Sequence, residues 1–163
     1  MNRTLLAYAK HLAVLHQGIR LHPLSNATND ITIGFGRNLS TTGISLSEAN
    51  VLLIHDIMAC EAQLIANIPD TYSPLSNPRK AVLLDLCFHL GISGLLAQAQ
   101  TLSFIRAADF ERAANAMLAS AWAKRAPHRA LNLSEIMRRD LPIVEATSCH
   151  FKTSNPQNPN QRS

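Results

Sequence analysis

Apolar residues recur at helical spacing along most of the chain. The pattern predicts helices over residues 2–16, 46–68, 79–90, 95–107 and 108–120, and a closing helix that ends at Arg139. The helix over residues 79–90 is apolar on nearly every side, which predicts a buried position. Together these runs predict a mostly α-helical protein.

Capping and breaking residues set the predicted helix boundaries. Gly18 ends the first helix, and Gly91 ends the buried one. The segment Ser45–Glu48 (SLSE) matches a capping box and starts the second helix. Pro69 ends that helix, so residues 69–78 are predicted to be a loop.

One stretch departs from the helical period. Residues 31–36 alternate apolar with small or polar side chains, which predicts a strand of a small β-hairpin. Gly34 and Gly36 leave one edge of this segment without side chains. Such glycines mark either a tight bend or the close approach of a ligand or another segment. Spacing alone leaves both interpretations open.

Composition places the chain among folded proteins of one domain. It has 163 residues, of which 47% are hydrophobic and 16% charged, and this balance excludes a disordered chain. The formal net charge is +4. A mild positive charge is compatible with an anionic polymer such as peptidoglycan or nucleic acid, and equally with ordinary solubility.

Targeting signals are not evident in the sequence. No apolar run approaches the length of about 20 residues that spans a bilayer. Lys10 and His11 interrupt the apolar start of the chain, which also lacks a small-residue cleavage site, so we expect neither a signal peptide nor a transmembrane segment. Three cysteines, an odd number, favour folding in a reducing compartment: Cys60, Cys87 and Cys149. These features predict cytoplasmic synthesis, with export by a holin or a non-classical route left open.

The predicted hairpin region resembles the signature of the phage-type lysozymes, the glycoside hydrolase family 24 muramidases. The matching residues follow the family pattern without a gap: Gly18, Arg20, Leu21 and Thr32-Ile33-Gly34-Phe35-Gly36. A second, more moderate likeness lies in Trp122, Pro127 and Arg129, which precede the closing helix as in the family. The resemblance covers about residues 5–141.

This resemblance implies the positions of the site residues. The general acid of the family, a Glu, falls on Gln17, its second carboxylate, an Asp, falls on Asn26, and its Thr falls on Thr32. Implied substrate-binding residues are Arg20, Gly34, Phe35 and Arg37. Arg37 stands where many members have His, although some members also read Gly-Arg-Asn-Leu there. The resemblance implies no cofactor and no metal.

It also implies a fold. We expect an α+β, mostly α-helical, two-lobed protein of the phage-lysozyme type with a small antiparallel sheet at about residues 20–37. The single domain of residues 1–151 would comprise a small lobe (about 15–45), a connecting helix (about 46–68) and a helical lobe (about 70–142). Residues 152–163 would be a disordered tail. Gln17, Asn26 and Thr32 would line one cleft between the lobes.

The amides at the two carboxylate positions change the expected chemistry. Glycoside hydrolysis uses one carboxyl group as an acid and a second as base, nucleophile or electrostatic partner. Gln17 has no acidic proton to donate near neutral pH, and Asn26 has no charge to stabilise a positive transition state. Loss of a positioned general acid alone typically costs about 10²–10⁴ in rate. The sequence does not distinguish a natural loss from an engineered one.

Three functions remain open. The first is a lysozyme-like protein without activity that binds peptidoglycan or a protein partner through a retained cleft. The second is a working muramidase with a relocated carboxylate such as Asp30, or with proton transfer by His16 or His22, each of which could also be an ordinary surface residue. The third is a purely structural or interaction protein. We expect no nucleic-acid partner and no membrane association.

A further pair of polar residues lies on the helix predicted to be buried. Asp85 and His89 share a face at i and i+4, which fits either half of a metal site or a hydrogen-bonded structural pair. Arg20 likewise fits either the substrate site or a structural ion pair.

Overall fold

The computed structural model describes residues 2–26 and 28–141. The described residues form eight helices and one three-stranded antiparallel sheet, which confirms the mostly α-helical α+β fold. In chain order the elements are α1 (Arg3–Gln17), β1 (Arg20–Ser25), β2 (Ile31–Gly34), β3 (Arg37–Asn38), α2 (Leu46–Asn67), α3 (Pro69–Tyr72), α4 (Asn77–Leu96), α5 (Ala99–Arg106), α6 (Phe110–Ala119), α7 (Ala121–Arg125) and α8 (Pro127–Arg139). The predicted disordered tail, residues 152–163, and Cys149 lie outside the described residues.

The chain forms two compact units that divide within α2. Of the described residues, those up to Met58 form unit 1 and those from Ala59 onward form unit 2. Among the described residues, the buried hydrophobic side chains all belong to unit 2, where they form one core cluster from Leu64 to Met137.

In unit 1, α1 has a defined start and end. The Asn2 side chain accepts a hydrogen bond of 2.9 Å from the backbone N–H of Thr4, which caps the first turn. Gly18 ends the helix with φ of 64°, and its N–H donates to the Val14 carbonyl at 3.1 Å. The predicted boundaries of this helix are confirmed to within one residue. Gln17 becomes its last residue.

The sheet of unit 1 runs in the order β1-β2-β3, with both pairs antiparallel. Thr32 lies opposite Leu24 on one side and Asn38 on the other, so these three side chains share a face. The predicted sheet at about residues 20–37 is confirmed. A register shift in β1 between Arg20 and Leu24 is an irregularity that the sequence did not predict.

The predicted capping box at the start of α2 is confirmed. The Ser45 hydroxyl accepts a hydrogen bond of 3.3 Å from the Glu48 N–H, and the Glu48 carboxylate accepts one of 2.7 Å from the Ser45 N–H. Two of the donors that a helix start leaves unpaired are thereby satisfied.

Helix α2 is also the one helix of the described residues that is long and apolar enough to cross a membrane, with 22 residues and a hydropathy of 1.3. Helices α4 and α5 meet the same criterion of length and hydropathy only when they are taken together as one segment, and that segment is bent by 100°. Length and composition of a single helix do not establish a span, and α2 contains the acidic residues Asp56 and Glu61. The expectation that the chain does not cross a membrane stays a prediction.

Two predicted boundaries in unit 2 are corrected by the structure. Residues 69–78 were predicted to be loop, but Pro69 begins the short helix α3, because proline fits the first helical position, where no N–H bond is required. Thr71 and Tyr72 of α3 are buried, so packing stabilises this turn. At Gly91, φ of 69° and ψ of 166° break the helix as predicted, yet helical structure resumes to Leu96.

Candidate active site

Gln17 lies against the turn between β2 and β3. A Cβ atom at Gly36 would come within 2.9 Å of the Gln17 Oε1 atom and 3.2 Å of its Cδ atom. With the Gln17 amide in its observed position, only a glycine fits at residue 36, and Gly36 also has φ of +82°. Gly36 therefore meets both interpretations, a tight turn and the close approach of another segment. Gly34 has φ of +66° and nothing within 4 Å of its ideal Cβ, so it fits the tight bend only.

Asn26 organises the loop between β1 and β2. Its Oδ1 atom accepts hydrogen bonds from the backbone N–H groups of Thr28 at 3.0 Å and Asp30 at 2.8 Å. The Thr28 hydroxyl lies 2.8 Å from the same atom. In addition, the Asn26 N–H donates to the Asp30 carbonyl at 3.0 Å. The side-chain carbonyl of Asn26 therefore holds Thr28 and Asp30 close to the end of β1.

Thr32 lies on the strand that connects these two places. Its hydroxyl donates to the Leu24 carbonyl at 3.3 Å. Asn26 lies in the loop that leads into β2, whereas Gln17 contacts the turn that follows it. The four residues of β2 correspond to about 13 Å at the usual rise per residue. Of the three predicted catalytic positions, Thr32 thus lies on β2, Asn26 lies near the start of β2, and the Gln17 side chain lies near its end.

Asp30 is the acidic residue of this loop. Its Oδ2 atom lies 3.0 Å from the Thr28 hydroxyl, and that hydroxyl also reaches Asn26. Asp30 is half-buried. Its carboxylate is therefore linked through Thr28 to the position at which the family has its second carboxylate.

The predicted substrate-binding residues have different surroundings. Arg20 is exposed on β1 opposite Gly34, and Phe35 in the adjoining turn is 46% exposed. These residues and Gly34 present an accessible surface along the β2–β3 turn. Arg37 is instead held by protein groups, because its Nε–H donates to the Gly43 carbonyl at 2.6 Å and its Nη1 lies 2.8 Å from the Glu48 carboxylate.

The Arg37–Glu48 pair is a contact that sequence reasoning missed. Hydrogen bonds from the Ser45 N–H and hydroxyl are the main causes that lower the pKa of Glu48, and Arg37 lowers it further. The signal in the sequence was the capping box, which places the Glu48 carboxylate at the helix start. The contact of Glu48 with Arg37 depends on how residues 39–45 connect β3 to α2, which the sequence did not predict.

In unit 2, Arg129 joins the two polar residues predicted to pair. Its Nε–H and Nη2–H donate to the two Asp85 carboxylate oxygens at 2.9 and 2.8 Å, and its Nη1 lies 3.1 Å from the His89 Nδ1. Asp85 and His89 thus meet through Arg129. The described residues contain no group of three or more His, Cys, Asp or Glu side chains that could hold a metal ion.

Trp122 lies next to this group. Its ring packs edge-on against the His89 ring with centroids 6.5 Å apart. The residues by which the second half of the chain resembles the lysozymes, Trp122 and Arg129, are therefore part of one polar and aromatic cluster in unit 2.

The helix and three-stranded sheet of unit 1 and the helices of unit 2 are consistent with a lysozyme-like muramidase fold. A family model described as phage lysozyme matches residues 15–140. The chain belongs to the phage lysozyme family. A search of curated proteins finds no match to it.

Proposed function

We propose that this protein is a lysozyme-like protein that binds peptidoglycan and does not cleave it. The observation that carries the proposal is the identity of the side chains at the two family carboxylate positions. Gln17 and Asn26 are both amides, and both are built into the local structure of unit 1. Membership of the phage lysozyme family supports peptidoglycan as the polymer that is bound.

The chemistry of the two amides supports the loss of cleavage. A glutamine has the size of a glutamate but no proton to give to the leaving oxygen. Likewise, the Asn26 carbonyl accepts two backbone hydrogen bonds, and no negative charge is available there to stabilise an oxocarbenium-like transition state. Without both carboxyl groups, the protein should still bind the glycan but should not cleave it.

The retained surface supports binding. Arg20 and Phe35 are exposed beside Gly34, and they offer a cation and an aromatic face to a sugar polymer that carries acidic peptide groups. We assign Arg20, Gly34 and Phe35 to glycan binding. Arg37 is assigned to holding the connection before α2, because Gly43 and Glu48 take up its hydrogen bonds.

A second candidate function is favoured by the position of Asp30. Its carboxylate reaches the Thr28 hydroxyl that also contacts Asn26, so it could take the part of the second carboxylate. This muramidase would still require a proton donor near Gln17. The binding function is preferred, because no acidic side chain stands at that position.

The test is sedimentation of the unaltered chain with insoluble peptidoglycan, with cleavage measured in the same samples. We expect binding at physiological salt without release of soluble fragments. Arg20→Ala should weaken binding several-fold, whereas the control Lys124→Ala removes an equal charge from an exposed position of unit 2 and should not. Equal losses in both variants would indicate unspecific charge attraction. Cleavage that disappears with Asp30→Asn would establish the second candidate instead.

A further inference from the structure

Two cysteines of unit 2 lie on facing parts of the same core. Cys60 is on α2 and Cys87 is on α4, and both are free thiols. Cys87 is 1% exposed and belongs to the core cluster, while Cys60 is half-buried and packs against that cluster. One thiol is thus closed off from solvent and the other is within reach of it.

Gln63 connects the two positions. Its Oε1 atom accepts a weak hydrogen bond from the Cys87 thiol at 3.8 Å. Gln63 follows Cys60 by three residues, so the two side chains are neighbours on one face of α2. The Cys87 thiol therefore points at the face of α2 that carries Cys60.

The thiols also affect each other. Burial is the main cause that raises the pKa of Cys87 to about 11, and Cys60 adds to this rise. The raised pKa also makes the two thiols unequal, because Cys87 is the poorer nucleophile at neutral pH.

We propose that Cys60 and Cys87 form an intramolecular disulfide when the protein meets a small-molecule disulfide. The Cys60 thiolate attacks one sulfur of the oxidant, a mixed disulfide forms, and one thiol of the oxidant leaves. The Cys87 thiolate then attacks the Cys60 sulfur and releases the second thiol. Each cysteine loses one proton, the pair is oxidised by two electrons, and the oxidant is reduced to two thiols.

The consequence is a covalent link between α2 and α4 that depends on the redox state of the surroundings. In a reducing compartment both thiols stay free, as in the structure. On transfer to an oxidising one, the link would close the chain segment between Cys60 and Cys87 and stabilise unit 2. This inference does not depend on the proposed binding function.

The experiment uses the full chain with Cys149→Ser, because Cys149 lies outside the described residues and could compete. The protein is incubated with oxidised glutathione, and its peptides are mapped without reduction. We expect a monomer that has lost two hydrogen atoms and a single linked peptide pair that contains Cys60 and Cys87. Its Tm should rise by roughly 5–10 °C over that of the reduced form.

Single variants test the order of the steps. Cys87→Ser should stop at a stable mixed disulfide on Cys60, whereas Cys60→Ser should react at least tenfold more slowly, since the remaining thiol is buried. Closure of the isolated mixed disulfide should speed up about tenfold per pH unit between pH 7 and 9, as the Cys87 thiolate fraction rises. Accumulation of the mixed disulfide at Cys60 without closure, even at pH 9, would overturn the proposal. Disulfide-linked dimers as the main product would also overturn it.

Discussion

Replacement of Gly36 by alanine tests the contact that positions Gln17. The new Cβ would lie 2.9 Å from the Gln17 Oε1 atom, which is closer than such atoms approach. Because that oxygen is the end of a flexible, exposed side chain, we expect Gln17 to move away while the turn keeps its shape. The free-energy cost should then come from φ of +82° at position 36.

The magnitude follows from the backbone. A side chain in the left-handed region costs about 1–2 kcal/mol relative to glycine. The matched control is Gly43→Ala, since Gly43 has φ of +60° and nothing within 4 Å of its ideal Cβ. Both variants should therefore lose about 1–2 kcal/mol of unfolding free energy. Gly36→Ala alone should shift the Gln17 side-chain amide resonance.

The assay is urea unfolding followed through the backbone amide resonances of β2, with the Gln17 amide recorded in the folded protein. A loss for Gly36→Ala that exceeds the loss for Gly43→Ala by more than about 1.5 kcal/mol would mean that Gln17 cannot yield. An unchanged Gln17 resonance in Gly36→Ala would refute the placement of this side chain against the turn.

Two further predictions concern unit 1. Asn26→Ala removes the acceptor of two backbone hydrogen bonds and should lower the unfolding free energy by about 1–2 kcal/mol. Asn26→Asp keeps an acceptor and should retain most of that stability. Hydrogen exchange of the Asp30 amide measures the difference. Because the pKa of Glu48 is lowered, the charge of Glu48 stabilises the start of α2 at pH values above the ordinary carboxyl pKa of 4.5. This stabilisation is lost as the pH falls through the lowered pKa. Exchange protection at the start of α2 should therefore fall as the pH drops below 4.5, and Glu48→Gln should abolish that pH dependence. A decline that persists in the variant would contradict the assignment.

Local sequence signals predicted much of unit 1. Alternation over residues 31–36 predicted the hairpin, and the capping box predicted the start of α2. These features depend on neighbours within a few residues, and the hydrogen bonds of Ser45 and Glu48 confirm the local rule. The glycines indicated that a ligand or another segment could approach the turn closely, but they did not indicate that the segment is the Gln17 side chain.

Contacts between distant residues were beyond the sequence. Arg129 meets Asp85 across 44 positions, and no periodic pattern links α8 to α4 in that way. Arg37 reaches Glu48 only because the connection before α2 folds back to bring the Gly43 carbonyl within 2.6 Å. The helix α3 was missed for a related reason, since the burial of Tyr72 stabilises a turn that local propensity did not predict.

The most direct measurement of the central claim is release of reducing ends from purified peptidoglycan by the unaltered chain and by the double variant Gln17→Glu with Asn26→Asp. The account predicts no cleavage by the unaltered chain and measurable cleavage by the double variant. Each single variant should do much less, because the two carboxylates act as a unit. Cleavage by the unaltered chain at the rate of an ordinary phage lysozyme would contradict the account.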